Sequence, residues 1–343
     1  MSVVDVVVAG RVRRAWRWRL VVTVLAVAVV AAFSVSLMVG RTFYGPDEVL
    51  RVIAGQTVPG ASFTVGVLRL PRAVLAVLTG FAFGLAGVTF QTMLRNALAA
   101  PDIIGISSGA SVAAVFAILV LDVTSATTVS VMAILTALAT AALIYVLAYK
   151  DGVVGTRLIL IGIGVSAILQ SLVSYLIVRA AAWDLQVAMR WLTGSLNAAT
   201  WSRVLPLAGA IAVLTPLLLS QARNLELLRL GDDTAAALGV RVGRTRLVVI
   251  LGAVALIAFA TAAAGPIAFV AFLAGPIAAR VVGPSQSLMI PAALIGALLV
   301  LVSDFVGQFA FGTRYPVGVV TGALGALYLV FLLARTHRSG GSL

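Results

Sequence analysis

The chain of 343 residues is 62% hydrophobic and only 10% charged, with mean hydropathy +1.16 and a net charge of +13. A soluble domain needs a more charged surface than this, and the apolar runs repeatedly reach the roughly 20 residues that cross a hydrocarbon core, so the chain is an all-α polytopic membrane protein. Cysteine is absent and the single histidine, His337, lies in the polar tail; disulfides, thiolate metal sites and a histidine-based haem, metal or proton-relay centre are excluded.

The first apolar run follows five arginines in RVRRAWRWRL and ends near Val39. It is longer than a signal-peptide core and lacks a small-residue cleavage pattern, so it reads as a retained first helix behind a basic cytoplasmic segment, residues 1–17. Trp16 and Trp18 suit the membrane interface. Window hydropathy predicts about ten transmembrane helices, near 18–39, 70–93, 103–121, 126–149, 155–178, 200–220, 244–264, 266–281, 288–310 and 316–335. Between the first two, YGPDEVLRVIAG predicts a short amphipathic helix opening at Gly45-Pro46.

The stretch RNALAAPDIIGISSGAS, residues 95–111, interrupts this pattern. Arg95 and Asn96 are expected to end one helix, with the asparagine satisfying free carbonyls. Pro101 is expected to open the next helix at no hydrogen-bond cost, with Asp102 complementing its N-terminal dipole. Gly105, Ser107 and Ser108 then give a thin helix that neighbours can approach closely.

Further along, LELLRLGDDTAAALGV lies in the inner segment 221–246. It predicts a short helix, a break at Gly231, and a second helix N-capped by Asp232 or Asp233 and ended at Gly239. The pattern fits a solvated connector and a partner-docking face equally. The run after Gly265-Pro266 is short for a full crossing, which suggests a half-helix or tilted segment lining a cavity.

With the N-terminus inside, eight cations fall outside: Arg41, Arg51, Arg69, Arg72, Arg179, Arg190, Arg203 and Arg314. The other sixteen fall inside, so positive-inside topology accounts for the basic charge without nucleic acid and puts both termini in the cytoplasm. No P-loop, no H-E-x-x-H and no Ser-His-Asp set is present. Asp304 is the one carboxylate well inside an apolar run, suited to an interhelical hydrogen bond or to ion coupling. A secondary carrier would need more deep ionisable groups, and an embedded enzyme or assembly scaffold would need a constellation of His, Asp or Glu. Any energy source is therefore expected on another subunit.

Five blocks in one order carry a specific resemblance: RLPR at 69–72, Gln91 with RNALAAPDIIGISSGAS, LGDDTAAALGV at 230–240, GPIAFVAFLAGPIAARVVG at 265–283, and YPVGVVTGALGALYLVFLLAR at 315–335. The chain resembles a permease subunit of the iron-siderophore, haem and vitamin B12 ABC importers, the FecCD family of type II importers, over nearly its whole length. The resemblance implies a ten-helix permease domain spanning 1–343 in the cytoplasmic membrane. It implies a second permease subunit, two cytoplasmic ATPases that bind ATP and magnesium, and an extracytoplasmic substrate-binding protein, with no catalysis, metal or cofactor on this chain. It makes 221–243 the coupling helices, with Leu230, Gly231, Asp232, Asp233, Ala236, Leu238 and Gly239 meeting the ATPase. Arg69 and Arg72 would meet carboxylates of the binding protein, or else simply anchor their helix at the interface. A third family arginine falls near Gly307 here, so that contact is either missing or moved, with Arg314 the position it would move to. Asn96, Pro101, Gly105, Ser107 and Ser108 are implied to line or gate the pathway, and Trp191 is either an interfacial anchor or a pathway contact.

The sequence departs from the commoner family pattern in two places. Ala97 stands where most members have proline. Ala274-Gly275-Pro276 stands where the commoner form has Ala-Pro-His, a variant that, with WLTGSLN at 191–197, resembles the second permease of siderophore systems. The implied cargo is a ferric siderophore and the implied assembly a heterodimer. Haem or cobalamin transport is the alternative within the family, and a secondary carrier the alternative outside it.

Overall fold

The computed structural model describes residues 3–99, 101, 105–149, 156–283 and 286–338. Among these, secondary structure is helical throughout, and ten of the helices fall on the ten expected runs. They are α1 (Val3–Met38), α3 (Leu70–Leu94), α4 (Ile106–Leu119), α5 (Ala126–Ala148), α6 (Thr156–Val178), α8 (Trp201–Ser220), α11 (Val242–Ala264), α12 (Val270–Val282), α13 (Met289–Phe309) and α14 (Val317–Arg338). Seven of the described helices are long and apolar enough to cross a membrane, and α4, α12 and the apolar part of α14 are shorter. Among the described residues there are also four short α-helices, α2 (Pro46–Ile53), α7 (Ala182–Leu192), α9 (Ala222–Leu228) and α10 (Asp232–Ala237).

The helix α3 is the buried axis, packed by α13, α11, α12 and α8. In lipid no hydrophobic force draws apolar helices together, so close van der Waals fit must. Here that fit comes from glycine. A Cβ on Gly80 would strike the Gly296 carbonyl of α13, one on Gly84 that of Ala292, and one on Gly87 that of Ala271 in α12. By contrast α1, α5, α6 and α8 keep most of their apolar surface uncovered.

The short helix α12 shows how a broken segment is tolerated. Pro276 lacks the N–H that would bond the Phe272 carbonyl one turn back. Gln91 of α3 replaces it, its Nε2 donating to Phe272 O at 3.0 Å. Gly275 leaves room for that amide, since a Cβ there would collide with Gln91 Oε1. Before α12, residues 265–269 are irregular, and α12's 13 residues span about 20 Å, well short of a bilayer core.

Two elements were not expected. Residues Ser62–Arg69 form a π-helical segment running directly into α3, and α7 fills what the sequence reads as a loop. Both sit at the cation-poor end of the bundle. There Arg69 closes the C-terminus of α1, donating to the carbonyls of Leu37 at 2.8 Å, Met38 at 2.9 Å and Thr42 at 2.7 Å. The predicted α2 forms, with Glu48 reaching back to the Gly45 N–H at 2.8 Å. At the cation-rich end, Arg17 and Trp18 of α1 donate to the carbonyls of Val281 and Ser287.

Candidate functional site

The cation-rich end carries the helix pair α9–α10. Gly231, at φ +110, is the N-cap of α10, and no side chain caps the helix. This corrects the expectation of an aspartate cap. The Asp232 carboxylate is instead held by Arg246 of α11 at 2.8 Å and by Arg95 at the end of α3. The far end closes as expected, with Gly239 left-handed at φ +87, its N–H on Ala236 O at 2.9 Å and the Val240 N–H on Ala235 O at 3.0 Å.

That arrangement divides the pair into two faces. Leu225, Leu228 and Ala235 are buried against the bundle. Leu230 and Leu238 are 61% and 57% exposed, with Asp233, Ala236 and Gly239 exposed around them. Two leucines held outward beyond the membrane-spanning helices are an apolar surface of the kind a partner covers.

Beside this pair the end of α3 is closed by Arg95 in a left-handed conformation, φ 52. The Asn96 contribution differs from expectation. Its backbone N–H takes the Gln91 carbonyl at 3.1 Å, while its side-chain oxygen accepts from the Leu98 N–H at 2.8 Å. Pro101 precedes α4 rather than opening it; the helix starts after Gly105, whose φ of +85 makes it the turn residue. The role expected of Asp102 falls outside the described residues. Gln91, Asn96, Gly275 and Pro276 all line a cavity of about 310 Å³, so the broken helix α12 does border open space.

The six expected pathway residues do not form one cluster. Asn96 follows the end of α3, Pro101 precedes α4, and Gly105, Ser107 and Ser108 form the N-terminal end of α4. Trp191 lies at the opposite end, where it lines a larger cavity of about 420 Å³ with Ile118 of α4, Ser130 of α5, Arg190 of α7, Asn197 and Arg203 of α8.

The wall of that larger cavity is fixed by backbone. The loop after α7 is stapled on both sides: Ser195 N–H donates to Ala264 O at 2.8 Å, and Gly318 N–H to Gly194 O at 3.1 Å. Gly194 and Gly265 both have positive φ and pack backbone on backbone, so a Cβ on either would collide. This explains the glycines of WLTGSLN and of the Gly-Pro start.

Arg72 ties the same wall to the core. Its Nε and Nη2 donate to the two Asp304 oxygens, each at 2.8 Å, and its Nη1 to Asn197 Oδ1 at 2.8 Å. Gln308 adds a fourth bond, to Asp304 Oδ2 at 2.8 Å. The side chains of Arg72 and Asp304 are only 18% and 8% exposed. Arg69 and Arg72, expected at the docking surface, thus have their donors engaged within the chain. Arg314 is exposed on the α13–α14 turn, with no side-chain hydrogen bond or ion pair among the described residues. No cluster of three or more His, Cys, Asp or Glu that could hold a metal occurs among the described residues.

Comparison with known proteins agrees with this architecture. The FecCD transport family matches residues 22–335. The ferric enterobactin transport system permease protein of Escherichia coli (strain K12) is 38% identical over 93% of this chain and 98% of its own length. The achromobactin transport system permease protein of Dickeya dadantii (strain 3937) is 40% identical over 92% of this chain and 91% of its own. A solved structure of a metal-chelate type ABC transporter in an inward-facing conformation superposes with a TM-score of 0.82 at 29% identity, over 92% of this chain and 98% of that one.

Proposed function

The chain belongs to the FecCD transport family, and on that premise we propose that it is the permease subunit of an ATP-driven importer carrying a ferric siderophore across the inner (cytoplasmic) membrane by alternating access. It is not an enzyme. ATP and magnesium would act on cytoplasmic ATPase subunits, and a substrate-binding protein would deliver the chelate from outside. The observation that carries this reading is the α9–α10 pair: Asp232 and Ala235 lock it to the core while Leu230 and Leu238 point away from it. A lever needs a rigid attachment on one side and a graspable face on the other, and this pair has both. Leu230, Gly231, Asp233, Ala236, Leu238 and Gly239 are then the ATPase contact, and Asp232 relays their movement to α3 and α11. The helices would reorient around a pathway shared with a second permease, which the Ala274-Gly275-Pro276 variant suggests is a different chain. Arg314 is the freest candidate for the binding-protein contact.

The test is affinity capture of the tagged chain from native membranes in mild detergent, with mass spectrometry of what remains bound. An ATPase together with a second, different permease supports the importer and the heterodimer. An ATPase with this chain alone keeps the importer, makes it a homodimer, and favours haem or cobalamin. Recovery of no ATPase refutes the reading in favour of a secondary carrier. The engagement of Asp304 by Arg72 already weighs against that carrier, because the one deep carboxylate is taken.

A further inference from the structure

We propose that Arg203, in the 420 Å³ cavity at the cation-poor end, is the recognition point for a negatively charged oxygen of the cargo, so that the transported chelate is anionic. The inference rests on the importer reading above and adds the charge class of its substrate.

The cavity has the volume of an ordinary small-molecule site, for which about 300–1,000 Å³ is usual. Arg203 stands in the first turn of α8, partly buried, and lines it. Among the described residues its side chain makes no hydrogen bond and no ion pair. Two other arginines of that end are treated differently: Arg69 has three carbonyls, and Arg72 has Asp304 and Asn197.

The Arg203 donors meet no acceptor among the described residues and its nitrogens are not sealed from the cavity, so they are open to an outside anion, which a guanidinium binds by charge-assisted hydrogen bonds. The two carboxylates in the same wall do not supply an acceptor. Asp122, exposed on the α4–α5 turn, and Asp184, in the first turn of α7, both lie beyond ion-pair distance of Arg203. Arg190, at the last turn of α7, adds a second cation without a partner, and Trp191 supplies an apolar wall. Among iron chelates charge is a real discriminator. Three catecholate dianions around Fe³⁺ leave a net negative complex, whereas three hydroxamate monoanions leave a neutral one.

The experiment uses the complex captured through this chain, reconstituted in liposomes with its binding protein. Uptake of a ferric tris-catecholate, a ferric hydroxycarboxylate chelate and a neutral ferric tris-hydroxamate is measured for the parent, Arg203→Gln and Arg203→Lys. The expected result is uptake of an anionic chelate that falls about tenfold or more in Arg203→Gln and largely returns in Arg203→Lys. Basal ATP hydrolysis and the thermal transition should stay unchanged in both variants. Uptake of the anionic chelate by Arg203→Gln at the parental rate, or parental uptake of the neutral chelate alone, overturns the anion site and leaves the importer standing. A captured chain with no ATPase and no chelate uptake refutes the importer reading and the inference with it.

Discussion

Replacing Asp304 by alanine removes the acceptor of two Arg72 donors and of Gln308, and leaves Arg72 with Asn197 alone. Breaking a buried ion pair from one side costs about 3–5 kcal/mol, because the surviving charge stays out of water. Arg72 keeps 18% of its side-chain surface and one partner, so the lower end, about 3 kcal/mol, is expected. Asp304→Asn keeps one acceptor and should cost about 2 kcal/mol. Removing both charges, as Arg72→Met with Asp304→Leu, should recover most of the loss, since apolar replacement of a buried pair is often neutral.

The assay is SDS-driven unfolding in mixed micelles followed by tryptophan fluorescence; thiol-reactive dyes are useless in a chain without cysteine. A cycle built from Arg72→Met, Asp304→Leu and their double variant should return a coupling of about 2 kcal/mol or more. If the two single losses simply add, or Asp304→Ala unfolds within about 0.5 kcal/mol of the parent, the pair does not hold the α3–α13 contact together and the reasoning fails.

Three further outcomes are expected. Gln91→Leu should destabilise by about 1–3 kcal/mol by leaving the Phe272 carbonyl unpaired, and Pro276→Ala in that background should restore much of it by returning the helical N–H. The same unfolding titration checks both. Leu238→Glu and, separately, Gly231→Trp should leave the melting transition in place yet cut ATPase co-purification at least tenfold; retention of the ATPase by both would remove the coupling role from α9–α10. Arg314→Glu should weaken binding-protein affinity several-fold at low salt and little at high salt without a stability change, measured by surface plasmon resonance. Arg72→Glu, in contrast, should fail first as a folding defect.

The ten helices were legible because a bilayer acts locally. Each crossing needs its own apolar run, and every run reports its own position. The α9–α10 pair was legible for a related reason: Gly231 and Gly239 mark its ends by backbone conformation, a property of single residues. The cap was misread because an aspartate after a glycine suits both a cap and an ion pair, and only the presence of Arg95 and Arg246 decides between them. The helix α7 was missed because its apolar and polar residues alternate too closely over 11 residues to register in a membrane-length window. Arg203 carried no signal at all. It counted as one of eight outer cations, and nothing in its neighbourhood of sequence says that it, unlike Arg72, keeps no partner.

The sequence alone determined that this is an all-helical membrane chain, where its helices lie, and which family it resembles, because hydropathy, glycine and proline act within a few residues of themselves. The tertiary structure decided which charges are spent. Arg72 meets Asp304 across 232 residues and Gln91 meets Phe272 across 181, and such meetings depend on which helices abut. In a bundle built from interchangeable small and apolar side chains, that is set by shape: the glycines of α3 and α13 admit close backbones, and everything polar is paired or left free according to where those backbones come to rest.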